Sequence, residues 1–204
     1  VPCGRPCILI ANHRTSLDGL LIAMVAQRLG STDLLWIVKE EMRRVPVIGG
    51  SLQRAGHAFV TRLGGDQSDK DKARVRAMTT LARRDGASVA IFPEGTRYTG
   101  SQQTQGQYLR LRDPKRGGLQ VYLDELPTYP VIFICMDWRG LRGGKTMWDG
   151  DDLLGIHGRV TVWECTRVPG DTAESVLEQG WTCMDRLLGS NTSKLVYERV
   201  FKQA

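Results

Sequence analysis

Residues 7–29 read CILIANHRTSLDGLLIAMVAQRL, and their order decides the fold. The first five, Cys7-Ile8-Leu9-Ile10-Ala11, form a short uninterrupted apolar run, the pattern of a strand covered on both faces. Residues 19–29 are apolar nearly all round and long enough for a helix. The polar turn Asn12-His13-Arg14-Thr15-Ser16-Leu17-Asp18 separates them. Strand, turn and helix in that order begin a β-α-β unit, and such units build parallel sheets covered by helices.

The same reading carried outward predicts strands at 34–38, 58–61, 88–92, 131–135 and 160–165, with charged amphipathic helices at 67–84 and 172–188 and a short one near 193–201. The expected fold class is therefore α/β, a mostly parallel sheet covered by helices. No repeat, low-complexity tract or linker divides the chain, so residues 1–204 read as a single domain. Residues 98–118, rich in Gln, Gly and Arg, read as a long surface loop, and 138–158 as a second irregular stretch.

Composition bounds the function. The 204 residues are 41% hydrophobic and 25% charged, enough apolar material for a core and too much for a disordered chain. The longest apolar runs, 20–26 and 131–136, fall far short of the roughly 20 residues that cross a bilayer, so any membrane contact reads as peripheral. An excess of 28 Lys+Arg over 22 Asp+Glu gives a net charge of +6, which suits an anionic partner. The five cysteines show no paired spacing and read as reduced thiols.

Three strand-end motifs carry candidate chemistry. In Asn12 to Asp18, a His sits near a carboxylate in a loop that follows a strand, where α/β folds place their sites. His13 would serve as a base and Asp18 as its orienter, provided His13 lies in the turn and Asp18 in the first helical turn. Thr15 and Asp18 equally read as a helix capping pair. Phe92-Pro93-Glu94-Gly95-Thr96-Arg97 is either a plain strand-ending turn with exposed Glu94 and Arg97, or a rigid turn offering backbone N–H groups and an Arg fork to a phosphate or an oxyanion. In Gly56-His57-Ala58-Phe59-Val60-Thr61-Arg62, the strand ends in an Arg that is either solvated or turned to the same crevice, and His57 has no special role. Gly140 to Thr146 misses the phosphate-loop spacing, and the chain contains no HExxH, GxSxG or CxxC, so metal and serine-hydrolase sites lack support. The cations of 67–84 alternate with Asp, which speaks against a nucleic-acid stripe.

Taken in order, NHRTSLD, GHAFVTR, FPEGTR and Tyr129-Pro130-Val131-Ile132 resemble the four blocks of the glycerolipid acyltransferase superfamily, which includes the 1-acylglycerol-3-phosphate acyltransferases. Pro114-Lys115-Arg116-Gly117-Gly118 is similar to a segment of the lysocardiolipin acyltransferase branch. The resemblance implies His13 and Asp18 as the catalytic pair and Arg62 and Arg97 as ligands of the acceptor's phosphate. It further implies that Glu94, Gly95 and Thr96 shape the acceptor pocket, and that Pro130 and its neighbours support the site. The family often places an acid where Thr61 stands, and by the same resemblance the domain is expected to lack the membrane-associating helical segment that relatives carry before the first block.

The reaction so implied moves an acyl group from acyl-CoA or acyl carrier protein to a lysophospholipid hydroxyl at the cytoplasmic face of a membrane. His13 would act as general base with no metal, no other cofactor and no covalent intermediate. A catalytically inactive lipid- or phosphate-binding module of the same fold would carry the same Arg residues. A nucleic-acid partner is not expected.

Overall fold

The structure, a computed structural model, describes residues 4–15, 17–31, 33–61, 66–97, 106–139, 157–168 and 170–189. Six strands form one sheet: β1 (Ile8–Ala11), β2 (Leu34–Lys39), β3 (Ala58–Val60), β4 (Ser88–Ile91), β5 (Val131–Arg139) and β6 (His157–Cys165). They lie in the order β3-β2-β4-β1-β5-β6. The first five are parallel, and β6 runs antiparallel to β5 along its whole length.

Among the described residues five α-helices complete the layers: α1 (Asp18–Arg28), α2 (Ile48–Arg54), α3 (Asp66–Asp85), α4 (Gly117–Glu125) and α5 (Ala173–Gly189). A 3₁₀ helix over Glu40–Arg44 follows β2. Because side chains alternate along a strand, β1 feeds two cores. Ile8 and Ile10 join Val89, Ile91, Val131 and Phe133 under α3, α4 and α5. Cys7, Leu9 and Ala11 join Ile132, Ile134 and Met136 under Ile22, Ala26 and Leu29. The unbroken apolar run of β1 is thus the signature of a strand with no solvent face.

Helix α1 is apolar all round yet buries only one stripe, leaving Leu20 and Met24 exposed. Asn12, fully buried, prolongs the β1–β5 pairing with its side chain: Nδ2 donates to Met136 O at 2.9 Å and Oδ1 accepts from Met136 N at 2.7 Å. Four described cysteines, Cys7, Cys135, Cys165 and Cys183, are free thiols. Burial pushes Cys135 up to about 12 and Cys165 up to about 11.

Two sequence expectations need correction. The stretch 98–118 is not all surface loop: Tyr108 and Leu111 are buried, and α4 begins at Gly117. The paired glycines suggested a loop because Gly disfavours helix interiors. Here they permit close packing, since a Cβ on Gly118 would stand 2.9 Å from both Ile37 Cδ1 and Ile91 Cδ1. The irregular stretch 138–158 is strand at both ends, with β5 reaching Arg139 and β6 starting at His157. The helix expected near 193–201 lies outside the described residues.

Candidate active site

The strand order makes the crevice. β1 leads through α1 toward β2, on one side of the sheet, while its neighbour β4 leads through α4 toward β5, on the other. Connections that leave adjacent parallel strands in opposite directions open a gap beyond their carboxyl ends, where α/β proteins bind ligands. Ile10 pairs with Ile91, so the residues that follow, His13 and Glu94, meet across that gap.

His13 is fixed by three contacts. Its Nδ1 lies 2.9 Å from Asp18 Oδ2. Its backbone N–H donates to Glu94 Oε1 at 2.8 Å. Its ring stacks on Phe92 with centroids 4.2 Å apart, and Phe92 stacks in turn on Trp36. Asp18 Oδ2 also accepts the backbone N–H groups of Arg14 at 2.5 Å and Thr15 at 2.8 Å. An oxygen already accepting two N–H groups takes a third from the imidazole, so Nδ1 carries a hydrogen, and in the neutral ring Nε2 is then the nitrogen with the lone pair. The side chain of His13 retains 22% exposure, while that of Asp18 is fully buried.

The two readings of Asp18 meet in one side chain. Its Oδ1 accepts from Thr15 Oγ1 at 2.9 Å, and Thr15 Oγ1 accepts from Leu17 N at 3.0 Å, so the pair orders the turn that leads into α1, whose N-cap residue Leu17 itself makes no side-chain cap bond. The other oxygen holds His13.

Glu94 is not the exposed residue of a plain turn. It is 2% exposed, with Oε1 on His13 N and Oε2 on Arg112 N at 3.1 Å. Burial pushes its carboxyl up to about 7, against the two N–H groups and the guanidinium groups of Arg14 and Arg112, which favour the charged form. The turn itself is as Pro and Gly suggest: Gly95 N donates to Phe92 O at 3.0 Å, and Gly95 has φ 74°. That bond removes the Gly95 N–H from the donors the turn can offer an oxyanion.

Segment 106–116 straps this turn to the rest of the domain. Lys115 N donates to Pro93 O, Arg14 reaches Arg110 O at 3.1 Å, Trp181 Nε1 reaches Arg112 O at 2.9 Å, and Arg110 N donates to Asp185 Oδ1. Between strap, turn and β2 lies an open cleft of about 240 Å³. Lys39, Arg112 and Lys115 line it together with Thr61, Gly95, Thr96, Glu41 and Glu94. Three cations facing two carboxyls, one of them readily neutralised, suit an anionic group.

Of the residues singled out by sequence, His13, Asp18 and Glu94 form one hydrogen-bonded group, and Gly95 and Thr96 line the adjoining cleft. Arg97 is half-buried and is not among the residues lining that cleft. Arg62 lies outside the described residues, although Thr61 before it lines the cleft. Pro130 is buried, and its carbonyl accepts Ile8 N at 2.9 Å, anchoring the start of β1. His57 has a structural role after all, because its Nδ1 accepts Trp36 N at 2.9 Å, and burial lowers its pKa. Sequence reading missed Lys39, Arg112 and Trp138. For Lys39 a signal existed, since it directly follows the apolar run 34–38 that predicts a strand.

The sequence profile of the Acyltransferase family matches residues 1–135, and the chain belongs to that family, within the glycerolipid acyltransferase superfamily. "Probable 1-acyl-sn-glycerol-3-phosphate acyltransferase 5" of Arabidopsis thaliana is 31% identical over 102 residues, covering 48% of this chain and 26% of that protein. The Arabidopsis thaliana 1-acyl-sn-glycerol-3-phosphate acyltransferase 3 is 26% identical over 140 residues, 63% of this chain and 37% of its own length. Lyso-ornithine lipid O-acyltransferase of Rhizobium meliloti (strain 1021) is 24% identical across 96% of this chain and 67% of that protein. The chain thus spans well under half the length of the two plant relatives.

Proposed function

We propose that the domain transfers a fatty acyl group from a thioester, acyl-CoA or acyl carrier protein, to the free hydroxyl of a phosphate-bearing lysolipid such as 1-acylglycerol-3-phosphate. The observation that carries this reading is the His13–Asp18 pair, Nδ1 on a buried carboxylate, joined through Glu94 to a cleft lined by Lys39, Arg112 and Lys115. The names of the relatives, which act on 1-acylglycerol-3-phosphate or a lyso-ornithine lipid, support a lysolipid acceptor.

In this mechanism His13 Nε2 takes the acceptor's hydroxyl proton as its oxygen attacks the thioester carbonyl. Asp18 stabilises the imidazolium so formed. The tetrahedral intermediate collapses, the C–S bond breaks, and His13 returns the proton to the departing sulfur, so that a free thiol leaves and the imidazole is neutral again. No acyl group is ever bonded to the protein. The acceptor's phosphate sits among Lys39, Arg112 and Lys115; Arg62 and Arg97 are retained as its ligands on the family resemblance alone. Glu94 holds the His13 backbone against the cleft, coupling the base to the acceptor site. The domain works at a membrane surface, and among the described residues no helix is long and apolar enough to cross a bilayer.

The test is thiol release from acyl-CoA in the presence of 1-acylglycerol-3-phosphate, with mass spectrometry of the lipid formed. Wild-type chain should yield diacylated product and His13→Ala none, with unchanged circular dichroism. Near wild-type release by His13→Ala would defeat the mechanism. Release without acceptor dependence would defeat the transfer.

A further inference from the structure

The segment that leaves the cleft ends in a strained apolar tip. β2 delivers Lys39 and the 3₁₀ helix delivers Glu41 to the cleft wall, and a few residues later the chain turns at Val45-Pro46-Val47-Ile48. Ile48 N donates to Pro46 O at 2.7 Å, closing a three-residue turn around Val47, whose φ is 65° and ψ −53°. This is the rare, strained hand of the γ-turn, and a β-branched residue at positive φ is an outlier. Val47 is 85% exposed and Ile48 38%.

The surrounding backbone enforces this conformation. A Cβ on Gly49 would stand 2.2 Å from Arg43 O, so the chain after the tip lies directly on the carbonyl end of the 3₁₀ helix. Gly49 N also donates to Val45 O, and both Ser51 N and Ser51 Oγ donate to Val47 O. Strain held in place by its neighbours points to a use for the geometry. What the turn achieves is to push a valine and an isoleucine into solvent, six and seven residues along the chain from Glu41 of the cleft wall.

We propose that this tip is the point at which the domain enters the headgroup–acyl boundary of an anionic bilayer, so that a lysolipid passes from the leaflet to the cleft along one continuous segment. The proposal rests on the reading that the acceptor is a lipid. Charge supports the bilayer as occupant. Arg44 and Arg54 flank the tip, exposed and in no ion pair among the described residues. Of the nearby acids, Glu40 is engaged by Arg43 and Arg74, and Glu41 faces the cleft. Shape supports it too, because a convex four-residue tip is far smaller than the roughly 800 Å² per partner of a stable protein contact. Apolar side chains with unpaired cations close by in the chain are what an anionic interface takes up.

The test uses the full chain and sedimentation with phosphatidylcholine vesicles, with and without phosphatidylserine. Wild type should sediment with the anionic vesicles. Val47→Asp should bind at least about tenfold more weakly, from lost apolar insertion and an added charge at the interface. Val47→Gly should bind more weakly as well while melting no earlier, since it relieves the turn. Equal sedimentation of wild type and Val47→Asp, or none by wild type, overturns the proposal. So does a change of oligomeric state by Val47→Asp in lipid-free solution, which would make the tip a protein contact. Thiol release with a short-chain, monomeric lysolipid should be the same in wild type and Val47→Asp. Tip-dependent vesicle binding without any thiol release would uphold the docking surface and overturn the acyl-transfer reading instead.

Discussion

Trp138 Nε1 donates to Asp18 Oδ1 at 3.0 Å, tying the loop after β1 to a residue 120 positions away on β5. With His13, Arg14 and Thr15, which supply the rest, five donors hold this one carboxylate. A carboxylate so held cannot turn from the imidazole, which is what an orienting group requires. Trp138→Phe keeps an aromatic ring and removes the donor. We expect kcat to fall about tenfold, the scale of one hydrogen bond to a charged group, with the KM for thioester unchanged. An unchanged kcat would make Trp138 a packing residue only.

Asp18→Asn separates orientation from charge. With its amide oxygen in the place of Oδ2, asparagine still accepts from His13, Arg14 and Thr15, and its NH₂ can donate to Thr15 Oγ1 but faces the Trp138 N–H. Stability should drop by about 1–3 kcal/mol, one buried donor left unmet. The turnover number should fall on the order of 10² to 10⁴, because no negative charge then steadies the imidazolium. Denaturant midpoints and kcat measured on the same preparation decide it. A stability loss with full turnover would leave Asp18 a helix-start residue alone.

Glu94 predicts a pH dependence of stability. Its carboxyl titrates near 7 in the folded chain against an ordinary 4.5, so the folded state binds the proton more tightly. The contribution is therefore fully present below pH 4.5 and is lost as pH rises through 7, a span worth about 3 kcal/mol. His57, lowered by burial, acts with the opposite sign, its contribution being lost as pH falls. Urea unfolding of wild type and Glu94→Gln, both retaining His57, isolates the carboxyl. The stability difference between them should shift in favour of the variant from about pH 5 to about pH 8, and a pH-independent difference would refute the assignment.

Gly180 makes a prediction about the core alone. A Cβ there would lie 2.1 Å from the Phe133 ring, at the contact of α5 with β5. Gly180→Ala should destabilise by about 1–3 kcal/mol despite the better helix propensity of alanine, since neither a buried ring nor a packed helix yields easily. A raised urea midpoint would show that the helix can shift outward at no cost.

The sequence alone was enough for the alternation of strands and helices, because the apolar run of residues 7–11 and the amphipathic period of α3 and α5 are local signals. It was enough as well to set the His13 turn and the Glu94 turn just past strand ends, on the same side of a parallel sheet. It could not show that His13 and Glu94 touch. That contact depends on β4 lying beside β1, a pairing between segments 81 residues apart that no local period encodes. The burial of Glu94, the reach of Trp138 to Asp18, and the meeting of Lys39 with Arg112 and Lys115 all follow from strand order and from the strap across it. Helix α4 was hidden for a related reason: Gly118 disfavours a helix taken by itself, and only the nearness of Ile37 and Ile91 makes the missing side chain favourable. Local pattern specifies which elements form. Which of their ends meet is decided by packing the whole sheet, where each apolar face must find a cover.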